Sequence, residues 1–162
     1  MLNKKMETAL NQQVNAELCS SYLYLSMSYD MESKGYEGIA SWFARQASEE
    51  FAHATRFMKY IGETDGKVAL LPIDQVKQTW TTPTDAFEEV LSHEKAVTAK
   101  IVKLMDLAVE LKDYATQSML RWFIDEQVEE VDTARKILDK LKKTDNNLMG
   151  LAAIDQQLGK RE

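Results

Sequence analysis

Between residues 67 and 82 the helical spacing of apolar residues that fills most of this chain stops, and Pro72 falls in the gap. A structureless run of that length inside a compact domain needs a purpose. The flanking segments supply one. A helix from about 39 to 63 is roughly 38 Å long at 1.5 Å per residue. A connection of about 16 residues can reach roughly 50 Å when extended. The run can therefore travel the length of a bundle and start the next helix parallel to the one before it. The other breaks, Ser33 to Gly38 and Lys112-Asp113-Tyr114, are short and make antiparallel neighbours. With only two prolines and six glycines in 162 residues, long helices go uninterrupted. The expected fold is all-α: one domain over 1–162, with helices at about 4–32, 39–63, 83–111 and 114–142 forming a four-helix bundle with one long crossover. Gly62 and Gly66 are expected to end the second helix. Thr82-Pro83-Thr84-Asp85 opens the third, with a capping threonine, a proline in the first helical position and an acid at the positive end of the dipole. A short fifth helix at about 146–157 is too short to stand alone and must dock on its own bundle or on a neighbour. The polar tail Gln156 to Glu162 is expected to be mobile at its end.

The apolar stripes of the four helices are each interrupted near the middle by groups that are costly to bury. In the first, Glu17 lies among Leu10, Val14, Ser21, Tyr24, Ser28 and Met31. In the second, Glu50 and His53 stand three apart on the face of Phe43, Ala47, Ala54, Phe57 and Ile61. Glu94 interrupts Phe87, Leu91, Val97, Ile101, Leu104 and Ala108. Gln127 and Glu130 repeat the three-residue step among Met119, Phe123, Ala134, Ile137 and Leu141. A buried carboxylate must be paired, protonated or bound to a metal. One such pair on one helix is commonly structural. Four helices converging on one level favour a centre for two cations, which needs several anionic oxygens and one carboxylate between the ions. Glu50, between Glu17 and Glu94, is the natural bridge.

The net charge of −6 argues against a nucleic-acid partner and fits a cation binder, although solubility alone accounts for mild acidity. Cys19 is the only cysteine, so no internal disulfide can form and a reducing compartment is expected. No signal peptide and no apolar run of membrane-spanning length is read, which makes a cytoplasmic protein the expectation.

Taken together, Tyr24, Glu49-Glu50-x-x-His53, His93-Glu94, Trp122 and Glu126-Gln127-x-Glu129-Glu130 resemble the non-haem ferritins, the bacterial type best. The resemblance covers the whole chain, including the crossover and the fifth helix, and its helix layout is that of the ferritin-like di-metal carboxylate proteins. It implies an iron-storage protein with ferroxidase activity: Fe(II) is oxidised by O2 or hydrogen peroxide, and Fe(III) passes as mineral into a hollow homo-oligomeric shell of 24 subunits. It implies one iron on Glu17, Glu50 and His53, a second on Glu50, Glu94 and Glu130, and a weaker third on Glu49, Glu126, Glu129 and Glu130. It makes Tyr24 and Trp122 electron donors, where residue chemistry alone reads them equally as packing groups. Gln127 is either a weak ligand or a hydrogen bonder behind the ligands, and His93 lies off the Glu94 face. Without the resemblance, Glu126 and Glu129 read as a solvated face.

Related families separate on single features. Bacterioferritins repeat Glu-x-x-His on the fourth helix, where this chain has Gln127-x-x-Glu130, and bind haem through a methionine, whereas no methionine stands between Glu50 and Met58. No haem is expected. Rubrerythrins need paired cysteines, and mini-ferritins lack the fifth helix. The rival readings are a non-catalytic shell subunit, a di-iron oxidase of an organic substrate and a metal-free bundle. The complete set of carboxylates weighs against the first and the last. Zn(II) fits the same donors as iron.

Overall fold

The computed structural model describes residues 1–161. Five helices follow one another: α1 (Lys4–Ser33), α2 (Glu37–Glu63), α3 (Pro83–Glu110), α4 (Tyr114–Thr144) and α5 (Leu148–Gly159). Hydrogen bonds between helices give their directions. Ser21 and Ser28 of α1 donate to the carbonyls of Ala47 and Ala40, so α1 and α2 run antiparallel. Gln117 and Gln127 of α4 donate to the carbonyls of Ala108 and Glu94 in α3, again with opposed numbering. Tyr24 to Glu94 and Lys5 to Glu110 set α3 antiparallel to α1. The second and third helices are therefore parallel, as the long crossover requires.

The crossover climbs the outside of α1 in step with it. Asn11 donates to the carbonyl of Lys67 and accepts from the backbone of Ala69. Asn15 donates to the carbonyls of Leu71 and Pro72, Ser26 donates to the carbonyl of Lys77, and Asp30 accepts from the backbone N–H of Trp80. The side chains of α1 thus satisfy backbone groups that an irregular segment would otherwise leave to water. Trp80 closes the path. Its ring is buried, and its Nε1 donates to Glu89 at 2.6 Å. The capping box read at Thr82 and Asp85 is present, with both reciprocal bonds made.

Two expectations about helix ends need correction. The second helix begins at Glu37, so Gly38 lies inside its first turn. It ends at Glu63 as expected, but no glycine ends it: the helix runs through Gly62, and the left-handed residue after it is Asp65 (φ 58°). Gly66 follows with its N–H on the carbonyl of Ile61 at 2.8 Å, so the turn closes as a C-cap without glycine in the strained position.

Of the two docking options for the fifth helix, the structure shows the first: α5 packs on α2 and α4 of its own chain. Leu151 and Ile154 are buried there. Asp155 accepts from the backbone N–H of Ile39 at 2.8 Å and so caps the start of α2, whose own N-cap residue Tyr36 makes no side-chain bond. Gly38 makes this approach possible, since a Cβ there would lie 1.8 Å from the carbonyl oxygen of Asp155. Gly38→Ala should therefore push α5 off the bundle or shift it, with a loss of about 1–3 kcal/mol in denaturant unfolding. An unchanged midpoint would show that α5 contributes little. The tail is also less free than expected. The helix continues to Gly159 and Arg161 is tied down by hydrogen bonds, while Glu162 lies outside the described residues.

The core is split in two. One apolar cluster, centred on Tyr24, Met27, Trp42, Phe43, Phe87 and Leu138, fills one end of the bundle. The other, with Leu10, Val14, Phe57, Ile101, Leu120 and Phe123, fills the other end. The interrupting polar groups of the four stripes lie between them, all buried. Among the described residues no helix is long and apolar enough to cross a membrane.

Candidate metal centre

The mid-stripe groups meet as the helical spacing requires. Oxygen and nitrogen atoms of Glu17, Glu50 and His53 lie within 4.8 Å of one another, and so do those of Glu50, Glu94 and Glu130. Glu50 belongs to both groups and stands between them. A third grouping joins His53, Glu126 and Glu130. The His53 ring is oriented by its neighbours. Its Nδ1 faces Glu50 at 3.4 Å and its Nε2 faces Glu126 at 3.8 Å. Trp122 and Phe123 pack edge-on against it at 5.4 and 5.9 Å.

Two oxygens decide what the pocket is suited to. Glu17 Oε2 and Glu50 Oε1 are buried without any hydrogen-bond partner. Leaving such atoms bare is expensive, and a structural salt bridge would not do so. Burial, followed by the charge of Glu50, pushes the Glu17 carboxyl well above the usual range. Burial, followed by the charge of Glu94, does the same to Glu50. Glu130 is pushed up to about 7, by burial first and Glu94 second. In each case the dry, crowded pocket disfavours the charged carboxylate. Two metal ions would displace the protons of these acids and take up the bare oxygens. The donor set, carboxylate-rich with one imidazole, suits iron and also admits zinc.

Around these groups stand residues that orient them. Tyr24 donates to Glu94, stacks on Phe43 and is buried outright. Burial, then the charge of Glu94, raises the Tyr24 phenol well above its usual range. Gln127 donates from Nε2 to the carboxylate and carbonyl oxygens of Glu94 at 3.2 Å and to Thr98 at 3.1 Å. These bonds tie its amide nitrogen to the third helix behind Glu94. His93 packs edge-on to Tyr24, and its Nε2 bonds Ser20 at 2.7 Å. Trp122 carries Arg56 over its ring at 4.0 Å.

The further carboxylates separate. Glu126 joins His53 and Glu130. Glu129 is exposed, and both oxygens of Glu49 accept from Arg161 at 2.7 Å. Neither Glu49 nor Glu129 enters a grouping with the others among the described residues. Two glutamines went unread in the sequence. Gln13 donates to Glu17 at 2.7 Å and Gln46 to Glu130 at 2.6 Å. A signal existed: each lies four residues before a glutamate of the centre, on the same buried stripe.

A bundle with one long crossover, whose four helices send carboxylates and an imidazole to a buried centre, defines the ferritin-like class. Comparison with known proteins agrees. The family model described as the ferritin-like domain matches residues 7–144. A bacterial non-haem ferritin of Bacteroides fragilis is 42% identical over 99% of this chain and 100% of its own length. One from Campylobacter jejuni is 35% identical over 98% and 95%. Among solved structures, an open-pore ferritin from the archaeon Archaeoglobus fulgidus superposes with a TM-score of 0.99 at 38% identity, covering both chains fully. The chain belongs to the ferritin family.

Proposed function

We propose that this chain, as a single ferritin-like domain, is an iron-storage subunit that oxidises Fe(II) at the intrabundle centre. Its iron is substrate and cargo. One ion is held by Glu17, Glu50 and His53, the other by Glu50, Glu94 and Glu130, with Glu50 shared. The burial of two carboxylate groups that share Glu50 carries this reading, because so many acids are costly to hold together in a dry core unless cations offset their charge. Each Fe(II) gives up one electron, so the pair reduces O2 to hydrogen peroxide, or peroxide to water, with two protons taken up. The protons that Glu17, Glu50 and Glu130 release as the cations enter are available at the same place. Tyr24, bonded to Glu94, is within reach as an electron donor. Glu126, grouped with His53 and Glu130, is the proposed next holding point for iron on its way to the mineral.

The proposed assembly is a hollow shell of 24 copies, in the cytoplasm and without haem. Light scattering at neutral pH should show that particle, and a monomer or dimer would contradict it. For the chemistry, O2 uptake after adding Fe(II) should be fast and should fall when Zn(II) is loaded first. An uptake no faster than in protein-free buffer would exclude the ferroxidase role.

A further inference from the structure

Arg161 approaches the centre from outside the four helices, carried there by the docking of α5. Its Nη1 donates to Gln46 Oε1 at 2.7 Å and its Nη2 to both oxygens of Glu49 at 2.7 Å. Its guanidinium lies over Trp42, 5.1 Å from the ring centre. Gln46 is 1% exposed, and its Nε2 donates to Glu130 Oε2 at 2.6 Å. An arginine side chain has donors only. Facing it, the Gln46 amide must present its oxygen, which leaves the NH2 group for Glu130. Without the arginine the amide is free to turn and set its oxygen against the carboxylate, which repels the ionised form.

We propose that Arg161 is a positioning residue for Glu130, acting through Gln46, so that the C-terminal segment sets how well the second cation is held. The proposal rests on the di-iron reading above. The paired Glu49 belongs to the device. It neutralises Arg161, whose positive charge would otherwise weaken cation binding a short distance away.

Calorimetric titration of the assembled, metal-free protein with Zn(II), which undergoes no redox change, tests this. Wild type should bind two Zn(II) per chain. Gln46→Leu should bind the first as before and the second on the order of tenfold more weakly. The double variant Glu49→Gln/Arg161→Met removes the ion pair with the net charge unchanged and keeps a stem against Trp42. It should also weaken only the second. All three substitutions together should be no worse than Gln46→Leu alone, because both routes end at one hydrogen bond. A merely structural loosening would instead lower both affinities and add to the effect of Gln46→Leu. A double variant with wild-type second affinity, or losses that multiply, would overturn the proposal. If the double variant fails to fold, Arg161→Lys keeps the charge and loses the two-armed fork. It should show a weakened second Zn(II), and an unchanged one overturns the proposal. Wild type that binds no Zn(II) at this centre would overturn the di-iron reading itself, whereas two tight sites unaffected by any variant would overturn this inference alone.

Discussion

Fast Fe(II) oxidation should disappear in Glu50→Ala, by on the order of a hundredfold or more, and both cation positions should weaken with it. Glu50 is the one carboxylate in both the Glu17–His53 group and the Glu94–Glu130 group. Its removal takes a ligand from each ion at once. Glu130→Ala differs in binding while resembling it in rate. Glu17, Glu50 and His53 remain, so about one tight metal per chain should survive, but two-electron reduction of O2 needs both ions and fast oxidation should still fail. Anaerobic Fe(II) titration followed by stopped-flow mixing with O2 separates the two variants. Normal rates in Glu50→Ala would remove the bridging role. Stability should move the other way. The isosteric Glu50→Gln deletes one of several crowded acids, so the metal-free protein should melt no lower than wild type.

The metal-free protein should lose stability as pH rises from about 5 to 7.5. The folded chain holds protons on Glu17, Glu50, Glu126 and Glu130 above the ordinary carboxylate range, burial being the largest cause for each. Between the ordinary value and the raised one, the unfolded chain has lost protons that the folded chain still keeps. The unfolded state then binds fewer protons, and stability falls with rising pH. For Glu130, raised from 4.5 to about 7, that is roughly 3 kcal/mol across the window. Asp30, paired with Lys34 and held by the backbone of Trp80, shifts downward and contributes in the opposite sense. Its stabilisation is lost only as pH falls through its lowered value, outside this window, whereas the buried His93, held below its usual range, opposes the four acids within the window and reduces the net loss. Added Zn(II) binds only the folded form and expels those protons, so it should raise the melting temperature more at pH 7.5 than at pH 5. Melts with a chelator and with Zn(II) at both pH values check this. A chelated protein that is flat or more stable at pH 7.5 would mean that the four acids are not crowded as described.

The bundle was legible because its signals are local and repeated. Stripe residues such as Phe57, Ile61, Ile101 and Phe123 are buried as their spacing requires. The crossover was legible from length arithmetic alone. The centre was legible because a carboxylate in an apolar stripe is a contradiction within one helix, and four such contradictions fall at one level. What remained hidden depends on partners far apart in sequence. Its spacing to Glu50 could place Gln46 on the buried stripe, but its partner Glu130 depends on the rotation of α4 against α2, which nothing in α2 encodes. Arg161 sits in a polar tail that composition alone reads as loose. Its order comes from the backbone approach of Gly38 to Asp155 and Gly159, a contact between residues more than a hundred apart. Glu49 and Glu50 are neighbours of identical chemistry. The helical turn between them sends Glu50 into the core, and the docked tail then gives Glu49 its partner in Arg161.

The most direct measurement is anomalous diffraction at the iron edge from crystals soaked anaerobically in Fe(II). Two iron peaks about 3.5–4 Å apart should appear inside the bundle, with Glu50 reaching both, Glu17 and His53 on one, and Glu94 and Glu130 on the other. A single peak, or iron bound only outside the four helices, would contradict a di-iron centre bridged by Glu50.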